Sequence, residues 1–123
     1  MDDKIKKLKE YFEKREDVVM AFRFGSRAKG EELSRANSDW DIAVYVSHEN
    51  LKLERELWLD IEKEIGAGVD LVILNRASAA LAWRILREGE ELFIKERRVY
   101  LDFMLRVSEE ADAFLKTSEE YYQ

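Results

Sequence analysis

The sequence predicts an α/β domain, a small mixed sheet of three to four strands with helices packed against it. Two observations carry that reading. Segments with apolar residues at helical spacing alternate with short β-branched and aromatic runs, and no repeat, low-complexity tract or Gly/Ser linker interrupts the alternation. At 123 residues the chain is also near the modal size of one domain. Residues 1–123 are therefore expected to form a single domain, with 98–123 as a C-terminal helix and tail.

Ile5, Leu8 and Phe12 lie at i, i+3 and i+7 among lysines and glutamates, the stripe of an amphipathic helix over residues 3–14 that Asp2 or Asp3 can cap. Val18 to Phe24 is β-branched and aromatic and stops at Gly25, so it reads as a buried strand. Asp39 to Val46 is a second strand. Leu53, Leu57, Ile61 and Ile65 mark a helix that Gly66 and Gly68 terminate, and Val69 to Leu74 is a third strand. Ser78 can cap a helix carrying Leu81, Ala82, Ile85 and Leu86, which ends near Gly89; Leu92 to Ile94 adds a short edge strand. A last helix runs from about Arg98 to Thr117.

Composition narrows the function classes. With 27 acidic against 21 basic residues the net charge is -6, so the basic footprint that duplex nucleic acid needs is missing. No stretch approaches the roughly 20 apolar residues of a membrane span, and Met1 to Lys9 has no apolar region of signal-peptide type. A cytoplasmic protein with no membrane partner is expected. Zero cysteines and a single histidine, His48, leave oxygen as the ligand atom for any metal.

The chemistry-bearing stretch runs from Gly25 to Val46. Side chains alternate along a strand, so Asp39, Asp41, Ala43 and Tyr45 share one face, while Trp40, Ile42, Val44 and Val46 share the other. Asp39 and Asp41 lie roughly 6.6 Å apart at Cα, a spacing from which both carboxylates can converge on a pair of divalent ions. Asp70 interrupts an otherwise apolar run, where an unpaired charge would be costly, and something must compensate for it. If the strands are neighbours, the three carboxylates meet, and each like-charge pair at about 4 Å repels by roughly 4 kcal/mol at an effective dielectric near 20. A cation relieves that. All-oxygen ligands select Mg²⁺ or Mn²⁺, whose shell is typically completed by substrate phosphates, which points to a nucleoside triphosphate. Gly25 after a strand lets backbone approach phosphate, Ser26 can cap a short helix, and Arg27 and Lys29 add charge nearby. The P-loop pattern is absent, because GSRAKG lacks its GK[ST] ending.

Gly25-Ser26, Asp39-Trp40-Asp41-Ile42 and Asp70 within VDLV together resemble the DNA polymerase beta-type nucleotidyltransferase superfamily, and more narrowly its minimal nucleotidyltransferases (MNT), antitoxin partners of HEPN ribonuclease toxins. The resemblance is strongest from Phe24 to Val46 and extends loosely to Asn75. It implies the polymerase beta-type fold and a Mg²⁺-dependent transfer of AMP from ATP to a hydroxyl, in that family a tyrosine of the HEPN toxin. It further implies two metal ions held by Asp39, Asp41 and Asp70, with Asp70 a possible base, and Gly25 and Ser26 holding the β- and γ-phosphates. Lys29 stands where the family often has arginine, which keeps the charge but loses bidentate contact.

Other residues read more plainly. Trp40, Trp58 and Trp83 are expected in the core, His48 in a polar loop, and Arg35 and Arg76 only weakly as phosphate contacts. Leu101 and Leu105 widen the stripe formed by Tyr100, Phe103, Met104, Val107, Ala111, Phe114 and Leu115, which fits either a well-buried closing helix or a homo- or hetero-oligomeric interface. Two other functions compete with catalytic antitoxin: an antitoxin that neutralises by binding alone, and a nucleotidyltransferase acting on a small molecule.

Overall fold

The computed structural model describes residues 3–25 and 40–122, with side chains to residue 113. The elements follow as α1 (Asp3–Lys14), β1 (Val18–Phe24), β2 (Trp40–Val46), α2 (Leu51–Ile65), β3 (Val69–Ile73), a 3₁₀ turn (Leu74–Arg76), α3 (Ala79–Glu88), β4 (Glu90–Ile94) and α4 (Arg97–Tyr122). The four strands lie in the order β3-β2-β1-β4. β1 is antiparallel to both β2 and β4, whereas β2 and β3 are parallel, as the α2 crossover between them allows. The sheet is mixed, and β4 is the edge strand the sequence predicted. α4 is longer than predicted and ends at Tyr122; Phe114 and Leu115 lie beyond the described side chains.

Alternation along the strands makes two cores. Ile5, Leu8 and Phe12 of α1 and Leu57, Ile61 and Ile65 of α2 cover one face, against Ile42, Val44 and Val46. On the other face Ala82, Ile85 and Leu86 of α3 and Phe103 and Val107 of α4 cover Met20, Phe22 and Ala43. Burial at helical spacing, not helix propensity alone, holds α1 and α3 in place.

The helix ends are chemically closed. Ser78 Oγ accepts the Leu81 N–H at 3.2 Å, as the sequence suggests, and Asn50 Oδ1 accepts that of Leu53 at 3.0 Å. Gly66 ends α2 at φ +65°. α1 is tied to α2 by the Tyr11 hydroxyl, which donates to Asp60 Oδ2 at 2.7 Å, and by Arg15, 2.6 Å from Glu56. Burial, with that bond to Asp60, raises the Tyr11 phenol well above its ordinary value. Beyond β2, the Asn75 amide brackets Val46, accepting its N–H at 2.9 Å and donating to its C=O at 2.8 Å. At the start of β3 both backbone groups of Val69 are held by α2: Glu62 Oε2 accepts the N–H at 3.1 Å, and Trp58 Nε1 donates to the C=O at 2.8 Å.

Candidate active site

Parallel pairing of β2 with β3 sets Asp41 directly against Asp70, with Trp40 against Val69 and Ala43 against Val72. Residues in register on neighbouring strands project to the same side of a sheet, and the strands are about 4.8 Å apart. Both carboxylates therefore leave the face that carries Ala43 and Val72, the face on which the second core lies. The antiparallel pairing of β1 sets Phe24 against Asp41, which brings Gly25 alongside that carboxylate.

Gly25 is required there for two separate reasons. Its φ of +86° is a left-handed conformation that L side chains rarely adopt, and a Cβ would fall on Asp41 Oδ2. The turn and the carboxylate thus occupy each other's space. Asp41 is half-buried and Asp70 exposed. That exposure corrects the expectation that Asp70 carries a desolvation cost: β3 is an edge strand, and water reaches its carboxylate. What the register does is set two carboxylates side by side on neighbouring strands. Two carboxylates with no soft ligand between them form a donor set suited to a hard divalent cation, and so the residues present fit one. Among the described residues no third His, Cys, Asp or Glu joins them. Asp39, Ser26, Arg27, Lys29 and Arg35 lie outside the described residues.

The neighbouring residues sort by face. Trp40 is 5% exposed in the α1/α2 core, with the Arg23 guanidinium stacked on its ring at 3.9 Å. It packs where expected, behind the carboxylates. Trp83 is half-buried against the second core. Trp58 departs from its expected core position: it is 41% exposed, because the buried stripe of α2 runs through Leu57, Ile61 and Ile65 and leaves Trp58 turned toward the β3 edge. Arg76 lies past the far end of β3 from Asp70. It is paired with Glu49 at 3.0 Å and, more closely, with the buried Glu54, so it belongs to a structural ion pair and not to a phosphate site. The Arg76 hydrogen bond holds the Glu54 carboxyl below its usual range. The sequence reading missed this pair, although Glu54 falls on the buried face of α2, a position where a charge calls for a partner. His48 is exposed, its Nδ1 3.2 Å from Ser47 Oγ. Among the described residues, no helix is long and apolar enough to cross a membrane.

A family described as Polymerase beta, Nucleotidyltransferase matches residues 6–98, which include every candidate site residue. No curated protein matches the sequence. Solved structures of similar fold include a toxin-antitoxin with AMP-PNP, at 24% identity and TM-score 0.73, with 98% of this chain and 94% of that chain covered. The toxin-antitoxin MntA-HepT matches at 18% identity and TM-score 0.74, over 99% of this chain and 96% of that chain. A third is the tri-AMPylated Shewanella oneidensis HEPN toxin in complex with MNT antitoxin, at 18% identity and TM-score 0.73, covering 97% and 92%. At these identities the likeness establishes a shared fold.

Proposed function

This chain belongs to the polymerase beta nucleotidyltransferase family, and we propose that it is an antitoxin that transfers AMP from ATP to a tyrosine hydroxyl of a HEPN toxin. The observation that carries the reading is the register of Asp41 with Asp70, with the Gly25 turn closed against Asp41. The similar structures favour the same nucleotide and acceptor class, since one holds AMP-PNP and another an AMPylated HEPN toxin.

In this reading residues 1–123 form one nucleotidyltransferase domain acting in the cytoplasm. Asp39, Asp41 and Asp70 hold Mg²⁺, as two ions, with Mn²⁺ a substitute. When bound, the metal offsets phosphate charge and lowers the pKa of the acceptor hydroxyl. The protein's own residues align the reactants. The Gly25-Ser26 backbone holds the β- and γ-phosphates, and Arg27 and Lys29 add positive charge beside them. The acceptor oxygen bonds to the α-phosphorus while the bridge to the β-phosphate breaks, so pyrophosphate leaves in line. Asp70 receives the hydroxyl proton, a role that its exposure at the sheet edge supports.

The test uses purified protein, a HEPN partner and labelled ATP with Mg²⁺. Partner mass should rise by whole AMP units, and Asp41→Asn should abolish the increments while partner binding persists. Asp70→Asn should slow transfer by about 10² to 10⁴, the range for a positioned base, or more if a metal is lost too. An unmodified but silenced partner would overturn the catalytic reading in favour of neutralisation by binding; AMP appearing on a small molecule would overturn the choice of acceptor.

A further inference from the structure

α2 carries a second stripe that the fold does not bury. Leu51, Arg55, Trp58, Leu59 and Glu62 fall at i, i+4, i+7, i+8 and i+11, the spacing of one helix face. They border a groove of about 560 Å³ between α2 and the β3 edge, floored by Leu71. Leu51 is 80% exposed, Leu59 61% and Trp58 41%, a concentration of large apolar side chains unlike the rest of this helix's solvent face. Among the described residues neither Arg55 nor Glu62 has an ion-pair partner; Glu62 accepts only the Val69 N–H.

The order of these residues is self-complementary. Place a twofold axis midway between Trp58 and Leu59 and run a second α2 antiparallel across it. Arg55 then faces Glu62 of the second copy, and Glu62 faces its Arg55. Trp58 meets Leu59 in both directions. Leu51, the most exposed large apolar side chain among the described residues, meets Gly66, which has no side chain and, at the position a Cβ would take, nothing within 4 Å. A twofold contact must satisfy each residue pair twice with one surface, and this stripe does so in charge, in bulk and at its ends. Strand addition at the neighbouring edge fits less well, because Val69 already has both backbone groups occupied by Trp58 and Glu62.

We propose that this face of α2 is the interface of a homodimer, in which two α2 helices pack antiparallel about the Trp58–Leu59 pair. It lies on the α1/α2 side of the sheet, so the dimer leaves Asp41 and Asp70 open on the other side.

Charge exchange tests this directly. Sedimentation of the full chain should show mass rising with concentration from 14.6 kDa toward twice that value. Arg55→Glu and Glu62→Lys, each alone, place like charges across the axis twice and should raise the dissociation constant by about tenfold or more. Mixed in equal amounts, the two variants should form a heterodimer close to parental affinity, since both cross-axis pairs are then opposite in sign. Should Glu62→Lys fail to fold because Val69 loses its acceptor, Leu59→Glu replaces it as a second disrupting variant, read by circular dichroism for fold and sedimentation for mass. A monomer persisting to about 1 mM at low salt overturns the proposal. So does a dimer indifferent to Arg55→Glu and Leu59→Glu, or burial of Trp58 only when a different protein, such as the toxin partner, is bound.

Discussion

Replacing Gly25 with alanine separates two costs that the structure superimposes at one position. Gly25 and Gly66 are the described glycines with positive φ, at +86° and +65°. Forcing an L residue into such a conformation costs about 1 kcal/mol at either site. They differ in surroundings: a Cβ on Gly66 meets nothing within 4 Å, whereas on Gly25 it collides with the Asp41 carboxylate. Gly66→Ala, measured at a concentration where the chain is monomeric, is therefore the strain-only control. For a chain of this size about 1 kcal/mol lowers the melting midpoint by about 3 to 5 °C. Gly25→Ala should lose that much and, in addition, turn the Asp41 carboxylate out of place. The assay is thermal melting with and without MgATP. Ligand at about 100 times its Kd contributes roughly 2.7 kcal/mol, so the parent and Gly66→Ala should both gain about 8 to 13 °C. Gly25→Ala should gain less than a third of that. If it keeps the full ligand gain, Asp41 and the glycine turn are not parts of one binding site, and the geometric argument for the site fails.

Three further outcomes follow from the same geometry. Asp41→Asn should melt within about 3 °C of the parent without ligand, because an amide keeps the shape, yet show little MgATP shift; an undiminished shift would remove Asp41 from the site. Glu54→Gln should cost about 1 to 2 kcal/mol at pH 7, the partial exposure of Arg76 limiting the loss. The folded Glu54 carboxyl lies below its ordinary 4.5, so this stabilisation is complete above that value and is lost as pH falls through the depressed one; stability curves of parent and variant should converge only in that acid range. Leu101→Glu with Leu105→Glu should leave the melting point within about 1 kcal/mol equivalent, since these side chains are 48% and 59% exposed. Partner binding should weaken, and unfolding or undiminished affinity would exclude α4 as the contact.

The legible parts of this molecule are those written within one element. A period of two along WDIAVYV placed Asp41 and Trp40 on opposite faces, and the caps at Ser78 and Gly66 could be read because capping is a contact across three or four residues. The pairing of Asp41 with Asp70 was not so accessible. It depends on which strand neighbours which, and on a register set by the docking of α2, so strand spacing could say only that the carboxylates meet if the strands do. The exposure of Asp70 was misread for the same reason, since an edge strand and a central one look alike in an apolar run. Trp58 shows a different failure. α2 has two stripes at helical spacing, and periodicity alone cannot say which of them the sheet covers.

The clamp on Val69 has a mechanical consequence for the residue that follows it. Asp70 projects from one side of the sheet, yet the backbone immediately before it is fastened at both N–H and C=O to Glu62 and Trp58, side chains of a helix on the opposite side. An edge strand would ordinarily fray outward, carrying its side chains with it. Here the fraying motion is stopped one residue short of the carboxylate, and the stop is supplied by α2. Asp70 thus keeps its station opposite Asp41 through two anchors, the ladder that joins β3 to β2 and the hold of α2 on the residue before it.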